Sequence, residues 1–406
     1  MDINDGIHDN LEVVICDDSA LMRNLISRMV DETPGMNVIA KATNGQNLLN
    51  VLETNNPDII ILDIEMPVMT GVEFLRERKN KKLKIPVIIL SSIAKQGAAV
   101  TMECLELGAS DFITKPGGSI SMNIADVTEE LVEKIVSYGG IYARRKGKLI
   151  PFAGHILNLI EPKIKETATH TTSKQANEKT PSVQTKTNER SAPPLQTFNS
   201  KNGPAVITPL REHGVIKIIA IGISTGGPNA LRDVFKMIDP HLTQPILVVQ
   251  HMPAGFTTEF ARSLDKICPL KVMEAMDNMP VENGHIYIAP GGYHITVELK
   301  YGGPIIHTNQ NPHRNGHRPS ADVLFESVAK EYKNNALGVI MTGMGGDGAA
   351  QLAELRRQGS WTLGQDEESS VVYGMPKVAM EMGGVQKQVS LMQMADEISM
   401  LAREHK

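Results

Sequence analysis

Cysteine is scarce: Cys16, Cys104 and Cys268 are the three in 406 residues, and no two form a Cys-x-x-Cys pair. A disulfide framework and a thiolate zinc site are thereby excluded, and each thiol reads as a small core residue of a reduced, cytoplasmic protein. Aromatic residues make up 4% with a single Trp, so stacking surfaces for nucleobases are not expected. Basic charge is not in excess either. Lys and Arg number 41 against 46 Asp and Glu, a net charge of -5, which leaves no electrostatic footprint for nucleic acid. No apolar run approaches the roughly 18 residues of a membrane helix. Met1 to Asn10 is polar and acidic, without the apolar stretch of a signal peptide. Nucleic-acid binding and membrane insertion are therefore not expected.

What is present is alternation. Hydrophobic residues reach 41%, enough for solid aliphatic cores, and the length favours two domains. Strand-like runs at Val13 to Cys16, Val38 to Ala40, Ile59 to Leu62, Val87 to Leu90 and Asp111 to Thr114 are separated by helical spacing at Leu21 to Val30, Asn47 to Leu52, Val72 to Arg78 and Val100 to Leu107. Such alternation implies right-handed crossovers and a parallel sheet. This first domain is expected over residues 1–140. From about Pro162 to Pro204 the composition turns to Thr, Ser, Lys, Glu, Gln, Asn and Pro with no apolar face, so 141–214 is expected to be a flexible linker region. Alternation resumes at 215–406 with strands at Ile216 to Ile221, Pro245 to Val249, Ile286 to Ala289 and Ala336 to Met341. An antiparallel pair is expected between Tyr293 to Leu299 and Pro304 to His307.

In the first domain Asp17 and Asp18 close the first strand and Asp63 closes the third. Three carboxylates at neighbouring strand ends repel unless a cation neutralises them, and a hard divalent ion such as Mg²⁺ is the simplest remedy. Helix capping and a solvated turn would explain the same residues separately. Ser91 at the end of the fourth strand and Lys115 after the fifth add a hydroxyl and a cation to the same edge, a set able to hold a phosphoryl group on a carboxylate. With Met66-Pro67, Gly71 and Lys115-Pro116, this stretch resembles the receiver domain of two-component response regulators. The resemblance implies a flavodoxin-like five-stranded parallel sheet and phosphorylation of Asp63 by a chemotaxis sensor histidine kinase. It further implies a metal held by Asp17, Asp18, Asp63 and the main-chain carbonyl of Glu65, with Ser91, Phe112 and Lys115 as switch residues.

In the second domain Gly222-Ile223-Ser224-Thr225-Gly226-Gly227 follows an apolar run directly, a bend that suits an exposed serine nucleophile. The same segment would serve as an ordinary helix cap or an anion-binding helix start. A Walker loop is excluded, because no Gly-Lys-Ser/Thr follows. His251 and Asp347 also stand just past apolar runs, so nucleophile, base and orienting carboxylate would gather at one sheet edge, in the chain order Ser, His, Asp. The α/β-hydrolase order, with His last, is different. His313 and His317 lie among Asn, Pro and Gly and suggest a loop rather than a zinc site.

Those residues, with Gln250-His251-Met252-Pro253, His317-Arg318-Pro319-Ser320, Met341-Thr342-Gly343-Met344-Gly345-Gly346-Asp347-Gly348 and Gly374-Met375-Pro376, are similar to the catalytic domain of the chemotaxis protein-glutamate methylesterases. The resemblance implies a doubly wound α/β domain with a mostly parallel sheet, and Ser224, His251 and Asp347 as the triad. Thr225 and the Met344 amide would assist at the oxyanion. It also implies hydrolysis of glutamate methyl esters, and deamidation of glutamines, on methyl-accepting chemotaxis receptors, with no cofactor for the ester reaction. A phosphorylation-gated esterase acting on some other ester is the alternative.

Overall fold

The computed structural model describes residues 9–92, 95–115, 124–150 and 204–406. Pro116 and the linker expected between 162 and 204 fall outside them. The first sheet contains β1 (Leu11–Cys16), β2 (Met36–Ala42), β3 (Ile59–Asp63), β4 (Val87–Ser91) and β5 (Asp111–Thr114), in the order β2-β1-β3-β4-β5 and parallel throughout. Because both faces carry helices, the central strands are apolar up to their last residues: β3 and β4 are buried at every position and end in Asp63 and Ser91. The helices are α1 (Ala20–Asp31), α2 (Gly45–Thr54), α3 (Gly71–Asn80), α4 (Lys95–Glu106) and α5 (Ile124–Lys134).

A five-residue π segment, Ile135–Gly139, joins α5 to α6 (Gly140–Arg145). Its cause is local. The Ser137 hydroxyl donates to the Glu133 carbonyl at 2.7 Å, competing with the regular ladder. The first domain extends past the boundary expected near residue 140, since Ala143 and Ile150 are buried in its core and Lys146 and Lys148 pair with buried Asp58. Composition places the edge too early because its sharp change begins only near Pro162.

The second sheet has seven strands in the order β15-β14-β13-β6-β7-β10-β8, all parallel. They are β6 (Ile218–Ile223), β7 (Ile246–Gln250), β8 (Lys271–Glu274), β10 (His285–Ile288), β13 (Ala336–Ile340), β14 (Trp361–Gln365) and β15 (Lys387–Val389). A separate antiparallel sheet holds β11 (His294–Lys300), β12 (Gly303–Asn309) and β9 (Met279–Pro280), as the alternation suggested for its two longer strands. Flanking helices are α7 (Gly227–Met237), α8 (Phe256–Asp265), α9 (Ala321–Tyr332), α10 (Ala349–Gln358), α11 (Met375–Glu381) and α12 (Leu391–Glu404). Strands β8, β9, β14 and β15 are absent from the sequence reading because they are short and interrupted by polar residues.

Chain order runs outward from β6 through β7 on one side and returns to β13 on the other, so the crevice for a ligand opens beside β6. Residues 204–217 strap across this domain through main-chain bonds to Glu381, Arg357, Asn334, Asn335 and His405, so residues 204–214 belong to it rather than to the linker expected up to 214. Trp361, the sole tryptophan, is stacked between His213 of the strap and His405 near the C-terminus, with centroids 4.0 and 4.6 Å away.

Candidate active site and its regulatory neighbour

Ser224 begins the turn that leaves β6. The Gly227 amide closes the turn on the Ser224 carbonyl at 2.7 Å, and Gly226 takes φ 82 and ψ -9 at the third position. A side chain there would need the left-handed region and would press on Val371 at 2.8 Å, so glycine is required. His251 follows β7, its amide bonded to the Ile223 carbonyl at 3.1 Å, and Asp347 lies in the glycine-rich loop after β13. The three side chains meet as expected. His251 Nδ1 lies 3.1 Å from Ser224 Oγ, and His251 Nε2 lies 2.8 Å from Asp347 Oδ2. With Nε2–H donating to the carboxylate, Nδ1 keeps the lone pair that can accept the serine proton.

Asp347 is supplied with further donors: Ser320 Oγ at 2.7 Å, Asn315 Nδ2 at 2.9 Å, and the Ala321 and Asp322 amides at 2.6 and 3.4 Å. The last two open α9, whose N-terminal dipole favours an anion. Burial alone would push this carboxyl up. The bonds from His251, Ser320 and Asn315 and the His251 charge prevail, holding it well below the ordinary carboxylate range.

His317, near in the chain to Asn315 and Ser320, stacks on the His251 ring with centroids 3.8 Å apart and planes 15° off parallel. Burial, with the neighbouring His251 second, lowers its pKa to about 4, so it is neutral near pH 7. The loop assignment for His313 and His317 agrees with this, since the Arg314–His317 bridge makes a tight turn. The stacking was not legible in the sequence, because nothing in the spacing ties residue 317 to residue 251.

The Thr225 and Met344 amides have no acceptor among the described residues, and Gly343, the neighbour of Met344, packs against Ser224. Both follow the strand ends beside the hydroxyl, the Met344 loop being anchored by the Ser224 amide on the Thr342 carbonyl at 2.9 Å. Free amides next to a nucleophile can stabilise an oxyanion.

At the first sheet's edge, Asp17, Asp18 and Asp63 offer carboxylate oxygens within 4.8 Å of one another. Lys115 Nζ bridges Asp63 at 2.7 Å and Asp17 at 3.1 Å. Burial pushes Asp63 above its ordinary value against the pull of Lys115. The donor set is all oxygen and carries excess negative charge, and so fits a hard divalent cation. Glu65 lies in the next turn with its side chain exposed, leaving its carbonyl as the group it could offer. The Ser91 hydroxyl is bonded to Thr101 Oγ1 at 2.6 Å, inside the domain.

The esterase turn meets the receiver's α4, β5 and α5 across a seam that sequence did not disclose. Glu133 Oε1 accepts from Thr225 Oγ1 at 2.6 Å, one residue from the serine, and Asp111 Oδ2 lies 3.5 Å from the Gly226 amide. Lys134 binds Asp111 at 2.9 Å and Glu130 at 3.4 Å, and Tyr138 donates to Asp111 at 2.9 Å. Asn229 donates to the Ala109 and Ser110 carbonyls, and Arg232 pairs with Glu106. Phe112, expected to be a switch residue, stacks on Phe256 at the start of α8 with centroids 4.8 Å apart, inside one apolar cluster common to both domains.

A family model of the CheB methylesterase matches residues 219–398, and one of the response regulator receiver domain matches residues 13–123. A protein-glutamate methylesterase/protein-glutamine glutaminase of Treponema denticola is 53% identical over 396 residues, covering 98% of this chain and 99% of that one. One from Halalkalibacterium halodurans is 37% identical over 390 residues, covering 96% and 97%. Among solved structures, the CheB methylesterase catalytic domain of Thermotoga maritima is 35% identical with a TM-score of 0.45, covering 46% of this chain and 98% of that one. With such identity along nearly its whole length, the chain belongs to the protein-glutamate methylesterase/protein-glutamine glutaminase family, its receiver domain preceding the esterase domain.

Proposed function

We propose that this chain hydrolyses glutamate methyl esters, and deamidates glutamines, on cytoplasmic segments of methyl-accepting chemotaxis receptors, under the control of phosphorylation at Asp63. The observation that carries the reading is the Ser224–His251–Asp347 relay with its 3.1 and 2.8 Å contacts. Ser224 Oγ attacks the γ-carbonyl while its proton passes to His251 Nδ1, and the imidazolium is stabilised by Asp347. The tetrahedral oxygen is received by the Thr225 and Met344 amides. Collapse breaks the bond to the alkoxy group, which takes the proton from His251 and leaves as methanol. Water, deprotonated by His251, then releases Ser224 and free glutamate. A glutamine follows the same course with ammonia leaving.

In the receiver, Asp17, Asp18, Asp63 and the Glu65 carbonyl would hold Mg²⁺, which supplies charge neutralisation for a phosphoryl group. Lys115 adds a second cation there. Ser91 reaches a phosphoryl oxygen once it leaves Thr101, and a sensor histidine kinase is the phosphodonor. The seam supports inhibition by docking, since Glu133 and Asp111 bear on the turn that carries the nucleophile. Phosphorylation favours the undocked state by differential stability of the two arrangements. The test is methanol release from methylated receptor membranes. Wild type should release it faster when given a small phosphodonor, and Ser224→Ala should release none; release by Ser224→Ala at the wild-type rate would overturn the assignment.

A further inference from the structure

Gln250 is the last residue of β7, paired in register with Ile223, and is 2% exposed. Its side-chain Nε2 donates to the Ser224 carbonyl at 3.1 Å and to the His251 carbonyl at 3.0 Å. One amide group therefore ties together the main chains of the hydroxyl-bearing and the imidazole-bearing residues. We propose that Gln250 is a positioning residue for the reaction, fixing the Ser224 and His251 backbones at the separation proton transfer requires; this rests on the serine-hydrolase reading above.

Two observations separate this role from plain satisfaction of buried carbonyls. The Ser224 carbonyl already accepts from the Gly227 amide at 2.7 Å, so it is not an orphan without Gln250. In addition, the clamp leaves Gln250 Oε1 buried with no hydrogen-bond partner. An unpaired buried oxygen is destabilising, and an apolar side chain of similar length would avoid it. Costs of this kind are kept where geometry serves function. The oxygen lies against the start of α7: a Cβ on Gly227 would stand 1.9 Å from it, so the clamp closes only over glycine.

The contacts joining strand and turn are otherwise few. The His251 amide bonds to the Ile223 carbonyl, one residue short of Ser224. Without Gln250 the Ser224 main chain is still held by Thr342 and Gly227 but is no longer tied to the His251 carbonyl, and misplacement of reacting groups is costly in rate.

The experiment uses the full chain, with a small phosphodonor and Mg²⁺, and reads the rate at which a fluorophosphonate labels Ser224. In that step the Oγ–P bond forms, the P–F bond breaks, fluoride leaves and the serine proton goes to His251. No receptor substrate is involved. Gln250→Leu should label about 10- to 100-fold more slowly, with an unchanged melting temperature and an unchanged pH profile shape. Gln250→Glu gives a second readout that a purely structural role would not move. Protonated, its carboxyl keeps one O–H donor; ionised, it keeps none. Its labelling rate divided by that of wild type should therefore fall as pH rises. Labelling of Gln250→Leu within about twofold of wild type, or a loss only in step with a lowered melting temperature, would assign Gln250 to stability alone. Equal labelling of Ser224→Ala and wild type would instead remove the nucleophile reading on which the proposal rests.

Discussion

Asp63 is the last residue of β3 and Asp347 lies in the loop after β13, both at carboxyl ends of central parallel strands, yet their surroundings are opposite. Asp347 has a donor on every side and is held ionised well below the ordinary range. Asp63 has Lys115 and the Ile64 amide, two other carboxylates close by, and a pKa raised by burial. The first centre is complete and has nothing to gain from further binding. The second carries more negative charge than the protein balances, so a cation and a phosphoryl group have somewhere to act. Catalysis needs charge fixed in advance, and switching needs charge left unsettled.

The comparison breaks most severely at the complete centre. Ser224→Ala and His251→Ala should each lower methanol release by roughly 10⁴- to 10⁶-fold, and the double variant should be little worse, because triad members act as a unit. Asp347→Asn should cost about 10³- to 10⁴-fold, since the neutral amide no longer stabilises the imidazolium and can hold the ring in the other tautomer. A full additive loss in the double variant would show that serine and histidine act independently. At the unsettled centre, Asp63→Asn should abolish labelling by a radioactive phosphodonor while leaving unphosphorylated esterase activity at the wild-type level. Label retained in that variant would place the phosphoryl elsewhere.

Smaller changes sharpen the contrast. Asn315→Ala removes one donor of several from Asp347 and should reduce turnover by about 10-fold, a typical value for a bond to a charged group; a loss matching Asp347→Asn would show that the donors are not redundant. The seam carries the smallest effect. Burial raises Glu133 from 4.5 to about 7 in the docked arrangement, against the Thr225 bond and Lys134, with Glu130 and Asp111 adding to the rise. Because the docked pKa is raised, the docked state holds the extra proton. Its advantage is complete below about 4.5 and is lost as pH climbs through about 7. The unphosphorylated activity of wild type divided by that of Glu133→Gln should thus rise severalfold over that interval, the ratio cancelling pH effects common to both proteins. A flat ratio would show that Glu133 does not feel docking.

Strand ends were legible because a parallel sheet buried on both faces writes its strands as apolar runs, and Asp17, Asp63, Ser224, His251 and Asp347 each punctuate one. The antiparallel pair at β11 and β12 was legible from its alternation. What escaped was contact between distant segments. Glu133 reads as one more acid on an amphipathic helix, and only the docked arrangement brings it to Thr225. His317 could be placed in a loop, but its stacking on His251 depends on how that loop folds over β7. Gln250 was visible only as the neighbour of a histidine; its clamp depends on the register that sets β7 beside β6.

The indole held between His213 and His405 gives the molecule an internal optical gauge. The receiver contains no tryptophan, so emission from this chain reports on one place alone, where the strap and the C-terminus close over the esterase domain. Loss of the two imidazoles packed against the indole changes its surroundings, which makes that emission sensitive to unfolding of the esterase domain. Thermal melts followed by fluorescence will therefore track the catalytic half, while circular dichroism tracks both. The gap between the two curves measures how far the receiver can come apart before its partner notices.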